Sequence, residues 1–270
     1  MGEAELHYLH MGTDDAARKL AVLRRPGGAP GVFWLGGFRS EMTGAKATAL
    51  DALGAELGVA VTRFDYSGHG RSGGDFLAGT ISRWLEEALA VFATTHGPQV
   101  VVGSSMGGWL ALLLARALNR QGLGERLRAL VLIAPAVDMT EELMRKGFTR
   151  KQLQALRETG RVDRPSAYSA EPYPITAALL EDGRQHLLFG RGIDTGVPIT
   201  ILQGGRDKDV PREHTMRLVQ HLLVDPVTVT LVPDGDHRLS RPEDLELLRA
   251  AVQRALEVPP EQLALDLGEG

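Results

Sequence analysis

The stretch Val100-Val101-Val102-Gly103-Ser104-Ser105-Met106-Gly107-Gly108 decides the fold of this chain. It runs from an apolar, β-branched segment through a serine bracketed by glycines into a long apolar segment, and it matches the pattern G-x-S-x-G. In that pattern the serine lies on a sharp turn between a strand and a helix, with its hydroxyl exposed above a sheet. Gly103 and Gly107 bracket Ser105 and not Ser104, so Ser105 is the predicted nucleophile.

The composition is that of an ordinary globular α/β enzyme. The chain has 270 residues, of which 43% are hydrophobic and 24% charged, so it can bury a large core. Its net charge of −4 argues against a nucleic-acid partner. Because cysteine is absent, a disulfide scaffold, a thiolate metal site and a cysteine nucleophile are all excluded.

The two ends of the apolar range say where the protein is expected to reside. Residues 1–11 carry Glu3 and Glu5 and no apolar run, unlike a secretory signal or an arginine-rich transit peptide. The longest apolar run, residues 109–115, ends at Arg116 and is shorter than the roughly 18 residues of a membrane span. We therefore expect a soluble, cytoplasmic protein.

Strand-like apolar runs alternate with helical patterns along most of the chain. The strand-like runs cover residues 31–37, 59–64, 99–102, 130–134, 199–202 and 227–232, with a weaker edge hairpin at 6–10 and 19–23. The helical patterns cover residues 42–57, 80–96, 107–120, 212–223 and 243–257. Continuous apolar strands separated by helices indicate a mostly parallel sheet covered by helices on both faces. We predict one α/β domain over residues 1–270.

The alternation stops between residues 139 and 196. This segment has no strand-like run, only short helical patterns at 141–146, 150–158 and 175–188 and a loop with Pro and Tyr at 164–174. Such a segment between two sheet strands predicts an inserted helical lid. Its apolar side chains have spacings that could form an acyl-chain pocket or simply pack on the sheet, and the candidates are Met139, Leu143, Met144 and Phe148.

A serine hydroxyl needs a base to accept its proton, usually a histidine that is held by a carboxylate. In open parallel sheets the active site lies at the carboxyl ends of the strands, so these partners should follow late strands. Asp207 follows the strand at 199–202, and His237 follows the strand at 227–232. The order Ser, Asp, His is that of the α/β-hydrolases and not of chymotrypsin or subtilisin. Ser105, Asp207 and His237 are the predicted catalytic triad.

Other acids compete with Asp207 for its role. Asp209 is an alternative acid in the same loop, whereas Asp234 and Asp236 have the character of turn residues beside His237. His69, beside a glycine turn, is the second histidine that draws attention.

Residues 68–73 also match G-x-G-x-x-G after a strand, but no helix begins directly after the glycines, as a dinucleotide site requires. No cofactor is therefore expected. His214 and His221 lie seven residues apart with no third ligand nearby in sequence, so no metal site is expected either.

Four segments carry a resemblance to a known family: GGFRSEMTG at 36–44, RFDYSGHG at 63–70, GSSMGGWL at 103–110 and DGDHR at 234–238. They resemble the α/β-hydrolase branch of mycophenolic acid acyl-glucuronide esterases and palmitoyl-protein thioesterases. The resemblance covers residues 31–255 and implies the α/β-hydrolase fold, a serine esterase or thioesterase activity and a triad of Ser105, Asp207 and His237. One departure is Gly36-Gly37, where the family usually has His-Gly.

The mechanism that follows is acyl transfer to water, with the oxyanion held by the backbone N–H groups of Phe38 and Met106. The expected substrate is a small-molecule ester or an acyl thioester, possibly of an acylated protein. Arg39, next to the oxyanion position, is a candidate for binding an anionic leaving group. Peptidase or haloperoxidase-like chemistry, and a non-catalytic binding protein with the same fold, remain the alternatives.

Overall fold

A computed structural model of the chain describes residues 2–13, 17–165 and 172–257. The acidic tail from residue 259 lies outside the described residues. So do residues 166–171 of the predicted loop at 164–174.

The core of the molecule is an eight-stranded sheet with the order β1-β2-β4-β3-β5-β6-β9-β10. Its strands are β1 (Glu5–Met11), β2 (Arg18–Arg25), β3 (Gly28–Leu35), β4 (Val59–Phe64), β5 (Gln99–Ser104), β6 (Leu127–Ile133), β9 (Ile199–Gly204) and β10 (Val227–Val232). Pairs β1–β2 and β2–β4 are antiparallel, and the strands from β4 to β10 run parallel. The predicted edge hairpin and mostly parallel sheet are confirmed.

Seven α-helices accompany the strands in the part of the chain that is described. They are α1 (Ala45–Leu57), α2 (Ile81–Ala93), α3 (Met106–Arg120), α4 (Arg150–Thr159), α5 (Ala177–Gly183), α6 (Arg212–His221) and α7 (Pro242–Glu257). One core cluster joins the sheet to α2, α3 and α6, and a second cluster joins it to α1 and α7. Helices therefore cover both faces, as predicted.

The central strands are buried on both sides, which explains their continuous apolar sequence. In β5, Val101 belongs to the cluster with α2 and α3, whereas Val100 and Val102 belong to the cluster with α1 and α7. All three valines are fully buried. Because neighbouring side chains point to opposite faces, a strand without polar alternation can lie only between two covered faces.

The segment between β6 and β9 contains a structure that the sequence does not predict. Strands β7 (Arg161–Arg164) and β8 (Tyr173–Thr176) form an antiparallel pair outside the main sheet. The expectation that residues 139–196 contain no strand is therefore wrong. The first two helical patterns become a π-helical turn at Thr140–Met144 and α4, and the third is α5 followed by a 3₁₀ turn at Arg184–His186.

Both ends of this 139–196 segment are tied to the sheet domain. Asp138, which directly follows β6 and is 1% exposed, accepts hydrogen bonds from the N–H groups of Leu188 (2.7 Å) and Phe189 (2.8 Å). Burial raises the pKa of the Asp138 carboxyl. Near the end of the segment, the indole N–H of Trp109 on α3 donates to the carbonyl of His186 at 3.3 Å.

The turn between β5 and α3 leaves no room for side chains at its two glycines. A Cβ on Gly103 would lie 2.3 Å from the carbonyl oxygen of Gly107. A Cβ on Gly107 would lie 2.1 Å from the carbonyl oxygen of Leu35 in β3. Real Cβ atoms do not approach backbone this closely, so the two glycines allow α3 to begin directly against β3.

We expect Gly107→Ala to lower the free energy of unfolding by about 1–3 kcal/mol or more, because the added methyl group meets rigid backbone. Gly73→Ala is the matched control, since its Cβ would have no neighbour closer than 3.7 Å. Urea unfolding of both variants measures the difference. Equal unfolding midpoints for Gly107→Ala and the wild type would contradict the crowding.

Candidate active site

Ser105 lies on the turn between β5 and α3 with φ 54° and ψ −117°. Such a backbone conformation costs a non-glycine residue about 1–3 kcal/mol. Backbone hydrogen bonds hold it: the N–H of Ser105 donates to the carbonyl of Ile133 at 2.8 Å, and its carbonyl accepts from the N–H of Ala136 at 3.0 Å. The serine is thus fixed to the end of β6 as well as to its own strand and helix.

The imidazole of His237 connects Ser105 to a carboxylate. Its Nε2 lies 3.0 Å from the Ser105 hydroxyl oxygen, and its Nδ1 lies 2.8 Å from Oδ2 of Asp207. A carboxylate can only accept, so the proton of a neutral imidazole is on Nδ1, and Nε2 is free to accept the serine proton. The three predicted triad residues are brought together in this geometry, although they are far apart in the chain.

Asp207 is held by its own loop. Its side chain is completely buried, and Oδ1 accepts hydrogen bonds from the N–H groups of Asp209 and Val210, both at 2.9 Å. The other acids serve the neighbouring turns. Asp236 accepts from the N–H groups of Arg238 and Leu239, both at 3.0 Å, as its turn-forming character predicts.

The loops after β9 and β10 pack against each other through glycines. A Cβ on Gly204 would lie 2.5 Å from the carbonyl oxygen of Asp236, and a Cβ on Gly205 would lie 2.5 Å from that of Pro233. The N–H of Gly205 donates to the carbonyl of Val232 at 2.7 Å. This contact sets the distance between the loop of Asp207 and the loop of His237.

A group of possible metal ligands overlaps with this arrangement. Single ligand atoms of Asp207, Asp209 and His237 lie within 4.8 Å of one another. However, Nδ1 of His237 already binds Oδ2 of Asp207, and Oδ1 of Asp207 accepts two backbone N–H groups. These hydrogen bonds account for the clustering, and the expectation that no metal binds stays a prediction.

The predicted oxyanion donors lie on two sides of Ser105. Met106 is the first residue of α3, so its N–H has no acceptor within the helix and adds to the positive end of the helix dipole. On the other side, a Cβ on Gly37 would lie 3.4 Å from the Cβ of Ser105. Phe38 follows Gly37 in a tight turn that Ser40 closes by donating its N–H to the carbonyl of Gly37 at 3.1 Å.

His69 contacts this second turn, which the sequence does not reveal. Its Nε2 accepts the backbone N–H of Arg39 at 3.1 Å, and its Nδ1 lies 3.2 Å from the carbonyl oxygen of Ser67. The side chain is among the buried polar groups, and burial lowers its pKa to about 4. The only sequence signal was a histidine between two glycines after a strand.

Arg39 itself is exposed, with its backbone at φ 60°. Its guanidinium carbon lies 5.9 Å from the ring centres of both Phe76 and Tyr173. The ring of Phe38 lies 5.1 Å from that of Phe76 and 5.9 Å from that of Tyr173 in β8. The turn beside Ser105 therefore contacts the 139–196 segment through aromatic side chains.

The four predicted acyl-pocket residues lie in one apolar cluster with α3. Met139, Met144 and Phe148 are 5%, 7% and 9% exposed, and Leu143 is half-buried against the same cluster. Their burial agrees with the alternative that they pack on the core. Their contribution to an acyl pocket stays a prediction.

The comparisons with known proteins point in one direction. The sequence profile of the alpha/beta hydrolase family matches residues 26–246. The mouse palmitoyl-protein thioesterase ABHD10, mitochondrial, is 34% identical over 233 residues, which cover 85% of this chain and 76% of the mouse protein. The predicted resemblance and the α/β-hydrolase fold are both confirmed.

Two solved structures agree with this result. A candidate hydrolase from Agrobacterium vitis S4 is 47% identical, with a TM-score of 0.91 over 95% of this chain and 100% of the other. The alpha/beta hydrolase domain-containing protein 10 from mouse is 30% identical, with a TM-score of 0.82 over 93% of this chain and 98% of the other.

The predicted cytoplasmic location is contradicted by these relatives, because the mouse thioesterase is a mitochondrial protein. The prediction depended on the acidic residues of the first eleven positions. Residues Glu5–Met11 form β1 of the sheet, so their composition reflects the fold and carries no information about location. Among the described helices, none combines the length and apolar character needed to cross a bilayer.

The buried His69 predicts a loss of stability in acid. Folding lowers its pKa from 6.5 to about 4, so between these values the unfolded chain binds more protons than the folded one. Its contribution is therefore present above pH 6.5 and lost as the pH falls towards 4. Relative to His69→Gln, wild-type stability should fall by about 2–3 kcal/mol between about pH 7 and about pH 4.5.

Urea unfolding of the two proteins across this range measures the difference, in which the titration of all other groups cancels. A stability difference that stays constant with pH would contradict the prediction.

Proposed function

The chain belongs to the alpha/beta hydrolase family, and on this basis we propose that it is a serine hydrolase that cleaves carboxylic ester or thioester bonds. The observation that carries the proposal is the hydrogen-bonded series Ser105–His237–Asp207, with distances of 3.0 and 2.8 Å, at the carboxyl edge of the sheet. Ligands of open α/β sheets bind at this edge.

In the first half of the reaction, the hydroxyl oxygen of Ser105 attacks the substrate carbonyl carbon while Nε2 of His237 accepts the hydroxyl proton. The buried carboxylate of Asp207 keeps the imidazole in the required tautomer and stabilises its cation. His237 then donates the proton to the leaving alcohol or thiol, and the acyl group remains bonded to Ser105.

In the second half, a water molecule takes the place of the leaving group. His237 accepts a proton from this water, whose oxygen attacks the acyl carbon, and the bond to Ser105 breaks as the serine oxygen regains its proton. The products are a carboxylic acid and the free enzyme. In both halves the negative oxygen would accept hydrogen bonds from the N–H groups of Phe38 and Met106.

The substrate class is inferred from the relatives and from the surroundings of Ser105. The mouse relative is described as a palmitoyl-protein thioesterase, which supports an acyl thioester or ester substrate, including an acylated protein. Residues 139–196 would act as a lid whose apolar residues Met139, Leu143, Met144 and Phe148 favour a medium or long acyl chain. Arg39, exposed beside Phe38, would face an anionic leaving group.

We expect Ser105→Ala to lower kcat by about 10⁴- to 10⁶-fold, because the nucleophile is lost. It should also abolish covalent labelling by a fluorophosphonate probe, which reacts with activated serines. Ser104→Ala is the matched control, since the neighbouring serine has no glycine bracket and should retain both labelling and turnover.

This experiment separates the enzyme from a non-catalytic binding protein of the same fold. Absence of labelling in the folded wild-type protein, or equal labelling of Ser105→Ala, would refute the proposed serine mechanism.

The apolar side chains of the 139–196 segment predict a preference for longer acyl groups. In a p-nitrophenyl ester series, kcat/KM should be higher for medium or long chains than for acetate. Leu143→Ala, at the half-buried position, should shift the optimum, whereas Leu247→Ala on α7 should leave it unchanged. A maximum of kcat/KM at acetate would contradict the acyl pocket, and a matched thioester series would rank the two bond types.

A further inference from the structure

We infer that His69 is a positioning residue for the oxyanion hole: its Nε2 holds the backbone N–H of Arg39 and thereby fixes the turn that presents the N–H of Phe38. The inference rests on the proposed serine-hydrolase function. It assigns a role to a buried histidine that takes no part in the relay from Ser105 to Asp207.

The two hydrogen bonds of His69 determine where its proton is. A backbone N–H can only donate, so Nε2, at 3.1 Å from the nitrogen of Arg39, must be an unprotonated acceptor. The carbonyl of Ser67 can only accept, so Nδ1 at 3.2 Å must carry the hydrogen. Both partners therefore require the same neutral tautomer, and the lowered pKa, caused by burial, favours the neutral ring.

The ring has no freedom to leave this position. Three aromatic rings surround it, with centre-to-centre distances of 5.2 Å to Phe76, 5.3 Å to Trp84 and 5.7 Å to Tyr66. The side chain is only 4% exposed. A histidine packed in this way acts as a rigid acceptor and not as a group that exchanges protons with substrate or solvent.

The loop that carries His69 is itself braced. Oδ1 of Asp65 accepts the N–H of Met42 at 2.7 Å, and Oδ2 accepts the N–H of Arg71 at 2.8 Å. The hydroxyl of Ser72 donates to the carbonyl of Asp65 at 2.6 Å. These bonds connect the loop after β4 to the loop after β3 on both sides of the contact between His69 and Arg39.

The held residue needs support because of its backbone conformation. Arg39 has φ 60°, a left-handed conformation that is uncommon for a side chain other than glycine, asparagine or aspartate. The peptide joining Phe38 to Arg39 is a rigid plane, so a bond to its N–H sets the orientation of the whole unit. Without the acceptor, this turn could relax, and the preceding N–H of Phe38 would lose its fixed direction.

The test compares His69→Phe with His69→Gln. Phenylalanine keeps a ring in the aromatic surroundings but offers no acceptor, whereas the amide oxygen of glutamine can occupy the position of Nε2. We expect His69→Phe to lower kcat and kcat/KM together by about 10- to 100-fold with little change in KM, because oxyanion bonds form mainly in the transition state. His69→Gln should recover most of the loss.

A transition-state analogue provides a second readout that a purely structural role would not move. The inhibition constant of a trifluoromethyl ketone should rise in His69→Phe in proportion to the loss of kcat/KM, while a carboxylic acid product should bind as it does to the wild type. Tyr66→Phe is the matched control: it removes a buried hydroxyl with no hydrogen-bond partner from the same aromatic group. This variant should keep wild-type turnover.

Four results would overturn the inference: wild-type kcat in His69→Phe, a change confined to KM, a Gln variant as slow as the Phe variant, or equal slowing by Tyr66→Phe. If His69→Phe does not fold, ¹⁵N NMR of the wild-type imidazole decides, since an Nε2–H tautomer excludes the proposed bond. If the wild type shows neither turnover nor fluorophosphonate labelling, the serine-hydrolase proposal fails and this inference with it. Active wild type with an unaffected His69→Phe refutes this inference alone.

Discussion

The strained backbone of Ser105 is the constraint on which the rest of the structure depends. A serine at φ 54° and ψ −117° is stable only where its surroundings hold it, and here the surroundings are three neighbouring strands. Gly107 lets α3 begin against the backbone of β3, and the carbonyl of Ile133 and the N–H of Ala136 bind the serine from β6. The conformation is thus enforced by backbone contacts, which explains why the local sequence must be glycine-rich rather than polar.

The second requirement is that distant loops agree in position. Asp207 and His237 follow different strands, yet their loops touch through Gly204 and Gly205, whose missing side chains allow carbonyl groups to approach. The parallel register of β9 and β10 brings both loops to the same edge as Ser105. Rigidity at the strands is therefore converted into a fixed distance between hydroxyl, imidazole and carboxylate.

The sequence predicts the parts of this structure whose cause is local. Valines buried on both sides identify β5, and residue type with strand order identifies Asp207 and His237. Contacts between a side chain and a distant backbone group leave no such trace, and the bond from Arg39 to His69 is of this kind. The β7–β8 pair was missed because Arg161–Arg164 is short and mostly polar, and it pairs only with its partner strand outside the main sheet.

The attachment of Ser105 to the end of β6 has a consequence for how such proteins can diversify. Ile133 and Ala136, which bind the backbone of the serine, precede the point at which the 139–196 segment leaves the sheet, and Asp138 gathers both ends of that segment. The variable part of the chain thus begins after the invariable bonds are complete. A graft that exchanges residues between Asp138 and Leu188 would exchange the roof over the site while the reacting atoms keep their coordinates.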